Sequence, residues 1–244
     1  MDLRGSAGKY QDNKSQGSVC MEVLIITRLN LQWNKPLTPE FVNNSIRRME
    51  SINRSSLKNQ SCQDFTLLTL TDETMTDYGD PLENEVIIKI PNIGEYNNTG
   101  IVHAIKNYVK NLDCESVITI RLDSDDALHK DFIKNIYNNN IPINHYADIV
   151  SGFPCYDIKT GKVYTSKKHD KRFTTQFVSF HELKKDFKCA VMMQSHTEMG
   201  KLYRGNCYNN LKALQFIHNE NHSTKIYKEA KEIKIDLLEY GIRI

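Results

Sequence analysis

Four short apolar runs rich in β-branched residues punctuate the first half of the chain: EVLIIT (Glu22 to Thr27), DFTLLTLTD (Asp64 to Asp72), EVIIKIP (Glu85 to Pro91) and SVITIRL (Ser116 to Leu122). Runs this brief and this apolar read as buried strands. Helix-forming segments lie between them. One opens TPEF, with Thr38 as N-cap and Pro39 at the first helical position, and runs to Ile52. A second, Asn98 to Leu112, repeats apolar residues at helical spacing, and a third runs from His129 to Asn139. The order strand, helix, strand, strand, helix, strand, helix predicts an α/β fold, a mostly parallel central sheet with helices on both faces.

The second half changes rhythm. Ala147 to Ser166 reads as two strands around the turn KTGK, and Arg172 to Leu183 as another strand. LKALQFIHN and KEAKEIKIDLLEYG carry helical patterns, while Cys189 to Asn210 shows no assignable one. A smaller, antiparallel C-terminal part is expected, without repeats or a clear linker.

Composition narrows the function classes. Of 244 residues, 39% are hydrophobic and 25% charged, so the chain can bury a core. With 32 basic and 30 acidic residues, it has no charge excess to drive binding to nucleic acid or to membrane surfaces. No apolar run approaches the roughly 20 residues of a membrane span. Residues 1–20 are polar and lack the apolar stretch of a signal peptide, so they read as a flexible leader or an expression remnant ahead of one domain, 21–244. Six scattered cysteines without C-x-x-C spacing point to a reducing, cytoplasmic setting.

The fourth strand ends in chemistry. RLDSDDALHKDFI sets Asp123, Asp125 and Asp126 within four positions at the end of a buried strand. Clustered carboxylates repel one another unless positive charge sits among them. On an extended chain Asp123 and Asp125 point the same way. In open parallel sheets ligands bind beyond the carboxyl ends of the strands. Two such carboxylates suit Mg²⁺ or Mn²⁺, completed by phosphate oxygens and water. An EF-hand beginning at Asp123 would need glycine and glutamate where Leu128 and Lys134 stand. A D-x-D phosphatase or phosphotransferase would use Asp123 as nucleophile, yet Ala127 occupies its Thr position. The plainer alternative is that the aspartates cap the following helix.

These residues also carry a resemblance. RLDSDDALHKDFI together with LIITRLN resembles a bacterial and viral rhamnosyltransferase family with the GT-A glycosyltransferase fold. Its motifs match TRLN (Thr27 to Asn30), RLDSDDA (Arg121 to Ala127) and LQFIHNEN (Leu214 to Asn221), the last with Asn219 in place of a glycine. The resemblance implies a single GT-A-like domain over 21–244. It implies a nucleoside-diphosphate sugar donor, a glycan or glycoconjugate acceptor and a divalent metal. Asp125 would hold the metal, Asp123 the ribose or the metal, and Asp126 would be a supporting partner or a sugar contact. His218 would be a further metal ligand or touch the diphosphate, and Asn221 would help bind phosphate. Thr27, Arg28 and Arg121 would flank the donor, with a structural salt bridge an equal reading for Arg28. Asp72 would accept from the nucleobase or serve as a turn residue.

Inverting transfer needs a base for the acceptor hydroxyl. QSHTEMGK offers Glu198, with His196 as competitor. Lys167, Lys168, Lys171 and Arg172 form a basic cluster, and Trp33 would shape the donor pocket or pack. A non-catalytic nucleotide-sugar-binding protein of the same fold is the remaining alternative.

Overall fold

A computed structural model describes residues 20–31, 37–93, 97–149, 153–165, 175–218 and 230–243, with the side chains of residues 196–197 left undescribed. The leader (residues 1–19), Trp33, the Lys167–Arg172 cluster and Asn221 lie outside them.

A seven-stranded sheet has the order β10-β6-β9-β4-β1-β2-β3. The apolar runs become β1 (Met21–Leu29), β2 (Thr66–Asp72), β3 (Glu85–Ile90) and β4 (Ser116–Arg121), all parallel. Beyond β4 lie β9 (Ser179–Leu183), antiparallel to both its neighbours, then β6 (His145–Ile149) and β10 (Arg204–Tyr208), parallel to each other. The carboxyl ends of β1, β2, β4 and β6 therefore share one edge. The expectation of a mostly parallel sheet holds.

Helices cover both faces, as expected for strands with no polar side. On one face Val23, Ile25 and Leu67 pack against Ile46, Met49 and Leu57 of the long helix and against Phe132, Ile133 and Ile136 of α4 (Phe132–Asn138). On the other, Leu24, Ile26 and Leu68 meet Ile101, Ile105 and Val109 of α3 (Asn98–Lys110). Each fully buried aliphatic side chain contributes roughly 1.5–3 kcal/mol.

Local signals set the helix starts. Thr38 caps α1 (Pro39–Arg48) by accepting from the Phe41 N–H at 3.2 Å, and Asn97 caps α3 through the Gly100 N–H at 2.7 Å. The first helix then departs from expectation. Instead of ending near Ile52 it passes through a π-helical turn (Met49–Arg54) into α2 (Ser55–Lys58). Arg54, on that turn, reaches Glu85 of β3 with a two-pronged contact at 2.9 and 2.7 Å in the core. Glu85 also accepts from the Thr69 hydroxyl at 2.6 Å and the Leu82 N–H at 2.9 Å.

A second sheet, β12-β8-β7-β11-β5, forms the smaller part. Its hairpin is β7 (Pro154–Asp157) with β8 (Lys162–Thr165), turning where KTGK predicts. The two strands expected over Ala147 to Ser166 are thus three, because β6 ends before β7 begins.

Two helical expectations fail here. LKALQFIHN forms β11 (Ala213–Ile217), held between β7, parallel, and β5 (Ala127–Leu128), antiparallel. Its apolar residues serve either period, and two waiting strand edges decide the matter. KEAKEIKIDLLEYG contributes β12 (Glu232–Ile233), paired with β8, and a 3₁₀ turn (Leu237–Tyr240). An exposed Lys162–Glu232 pair at 2.7 Å spans the β8–β12 ladder.

The stretch from Cys189 to Asn210, which shows no assignable pattern, holds α5 (Ala190–Met193), α6 (His196–Leu202) and β10. The third predicted helix starts at Phe132 rather than His129, because β5 and the following turn occupy the residues before it.

Candidate active site

The carboxylates sit where β4 leaves the sheet. The chain does not stay extended. Asp126 N–H bonds back to the Asp123 carbonyl at 3.1 Å, closing a turn that sends the three side chains in three directions. That overturns the expectation that Asp123 and Asp125 face the same way.

Asp123 faces β1. Arg28 Nη2 lies 2.8 Å from its Oδ1, and Arg121 Nε lies 3.8 Å from the same oxygen. The salt bridge foreseen as one reading of Arg28 exists, and its partner belongs to the carboxylate cluster. These two guanidiniums answer part of the charge question raised by three clustered aspartates.

Asp125 faces the second sheet. His218 Nε2 lies 2.7 Å from its Oδ2, and both side chains stay partly solvent-accessible. Strand register brings them together. β11 runs antiparallel to β5 with Leu214 opposite Ala127, so its C-terminal end returns to the carboxylate turn. One step beyond β11, His218 arrives at Asp125.

Asp126 turns inward and is 2% exposed. Its Oδ1 accepts from the Phe216 N–H at 3.0 Å and its Oδ2 from the Gln176 amide at 3.1 Å. Burial, then the Asp125 and Asp123 charges, push its pKa well above the ordinary carboxylate range. Of its two expected roles, this geometry fits the supporting one: Asp126 ties the turn to β11 and holds His218 in register. Gln176, which no sequence motif marks, is fixed by its neighbour. Asp148, at the end of β6, accepts from the Thr175 N–H at 2.6 Å and from the Thr175 hydroxyl.

The remaining candidates are spread along the same strand edge and on α6. Thr27 is fully buried at the end of β1, and its Oγ1 has no partner among the described residues. Asp72 ends β2, and its Oδ1 accepts from the Thr74 N–H at 2.9 Å and the Thr74 hydroxyl at 2.6 Å, the turn-residue geometry. Glu198 lies on α6 rather than on a loop, paired with Lys201 at 2.9 Å. His196 opens the same helix.

The donor set fits a divalent ion in part. Asp125 and His218 present one carboxylate and one imidazole together, a set that suits Mn²⁺ better than Mg²⁺. No group of three metal-capable side chains converges among the described residues. Of the expected set Asp123, Asp125 and His218, the first lies against Arg28 and the last two meet. An ion there would complete its shell with diphosphate oxygens and water.

Residues 37–229 match the family described as "Putative rhamnosyl transferase". The chain belongs to this family. The family's description names sugar transfer, and the chain has the α/β architecture with a mostly parallel sheet that the sequence leads one to expect. No curated protein matches the chain. Among solved structures, S. aureus TarS 1–349 is similar with a TM-score of 0.44 and 12% identity over 80% of this chain and 60% of that one. A Desulfovibrio desulfuricans protein described as a "putative nucleotide-diphospho-sugar transferase" reaches a TM-score of 0.39 and 9% identity over 80% of each chain. The chain thus spans less than two thirds of TarS 1–349. Among the described residues no helix is long and apolar enough to cross a membrane.

Proposed function

We propose that this protein transfers a sugar from a nucleoside-diphosphate donor to a glycan hydroxyl, with Mn²⁺ or Mg²⁺ held by Asp125 and His218. The observation that carries this reading is the 2.7 Å meeting of those two side chains at the carboxyl edge of the parallel strands. Rhamnose is the donor sugar that the family's description suggests.

Breaking the bond between the anomeric carbon and the diphosphate oxygen adds one negative charge to a leaving group that already carries two. A bound divalent ion would stabilise that charge as a Lewis acid. The chain's own residues do the rest. Asp125 and His218 face the donor from opposite sheets. Arg28 and Arg121 hold Asp123 at the donor side, and their charge lowers the cost of a third carboxylate nearby. Thr27 and Asp72 mark the strand ends beside which the nucleoside would lie. Glu198 is our candidate base for the acceptor hydroxyl, with inversion at the sugar carbon. Freeing it requires exchanging Lys201 for the acceptor.

The test is donor hydrolysis without acceptor. Wild-type protein and Asp125→Asn are incubated with UDP-, GDP- and dTDP-sugars plus Mn²⁺, and released nucleoside diphosphate is quantified. Metal-dependent release from one donor, lost in the variant, supports the reading. Release of inorganic phosphate from simple phosphomonoesters, with every sugar nucleotide left intact, sinks it.

A further inference from the structure

The end of the long first helix and the residues just beyond it carry buried polar side chains that face the carboxylate turn. Asn53 and Ser56 are fully buried and Gln60 nearly so. Asn53 and Ser56 stand three apart on one side of the helix, and Gln60 follows just past its last residue, Lys58. An apolar row would pack there without the cost of desolvating amides and a hydroxyl. Asn53 also has poor helix propensity, and its Oδ1 has no partner among the described residues.

What these side chains touch accounts for their presence. Asn53 Nδ2 donates to the Asp123 carbonyl at 3.1 Å. Ser56 Oγ donates to the Asn53 carbonyl at 2.8 Å and accepts from the Leu128 N–H at 3.3 Å. The Gln60 amide donates to the His129 carbonyl at 2.9 Å and accepts from the Ile133 N–H at 3.2 Å. Ser61 extends the row, its N–H bonding the Lys130 carbonyl at 2.7 Å. Backbone groups between Asp123 and Ile133 thus find partners in the side chains of another element. Asn53 lies on the π-helical turn, a distortion that recurs at functional sites because it re-aims side chains.

We propose that Asn53, Ser56 and Gln60 are positioning residues that clamp the carboxylate turn from behind, so that Asp125 is held at His218. Their effect on catalysis rests on the transferase reading above. Their effect on the turn does not.

The experiment is hydrogen exchange on the full chain without ligand, followed through peptides covering residues 122–131 and through peptides of β1 and β2. Asn53→Ala and Ser56→Ala should speed exchange over 122–131 by about tenfold, the effect of one lost hydrogen bond, while β1 and β2 keep their protection. Ser56→Thr, which retains the hydroxyl, should restore the slow exchange. In donor hydrolysis the same alanine variants should lower kcat with the KM for the donor little changed. Unchanged exchange over 122–131 overturns the proposal, as does acceleration spread equally over every peptide. If wild-type protein hydrolyses no sugar nucleotide, the transferase reading fails while the exchange data still decide the clamp.

Discussion

The imidazole of His218 lies 2.7 Å from the Asp125 carboxylate, although 93 residues separate them in the chain. One side chain follows β4 of the large sheet and the other follows β11 of the small one, so the pair joins the two sheets. Asp125→Asn and His218→Ala should each cut donor turnover by about 100-fold or more with a melting temperature near wild type. The double variant should be no worse than the poorer single one, because the two residues act as a unit. Steady-state kinetics beside melting curves check this.

Asp126 should behave in the opposite way. Asp126→Ala strands the buried Phe216 N–H and the Gln176 amide, at a cost of about 2 kcal/mol or more. Denaturant unfolding should show that loss, whereas Asp125→Asn should not. Equal stability of the two variants would contradict the anchoring role.

Removing half of the buried Arg54–Glu85 pair should be costly. Glu85→Ala leaves a guanidinium in the core beside Thr69 and Leu82, each having lost its acceptor. About 3–5 kcal/mol is expected, a large share of the roughly 5–15 kcal/mol that holds a typical domain together. Urea midpoints measure it.

Burial raises the Asp148 pKa to about 6, against the hydrogen bonds from Thr175 and Ile149 that lower it. A carboxyl that binds its proton more tightly when folded adds stability at low pH. That contribution is full below about pH 4 and is lost as pH rises through about 6, with a span of up to about 3 kcal/mol. Asp148→Asn removes the titration. Wild type should therefore gain on this variant in urea unfolding as pH falls from 7 to 4.5, and a constant difference across that range would contradict it.

Much of this is legible in the sequence for a physical reason. Strands buried on both faces, such as β1 and β4, are continuously apolar, and the caps Thr38 and Asn97 have local chemistry. The carboxylate turn stands out because three aspartates packed after a buried strand demand compensating positive charge. The directions of its side chains do not, because they depend on Arg28 and His218, which are distant in sequence. The β11 segment carries a helical pattern as well as a strand one, and only the edges of β7 and β5 settle its period. Asn53 and Gln176 carry no signal at all. Each is an ordinary polar residue until the fold places it against Asp123 or Asp126.

The most direct test of the central claim is thermal melting of the full chain with UDP, GDP, dTDP or CMP, each with and without Mn²⁺. Ligand at about 100 times its Kd stabilises the native state by about 2.7 kcal/mol, a rise of about 5 °C or more for a chain of this size. The account predicts that rise for one nucleoside diphosphate, only with Mn²⁺, and not in Asp125→Asn or His218→Ala. No rise with any nucleotide in folded wild-type protein, or a rise that both variants keep, would contradict it.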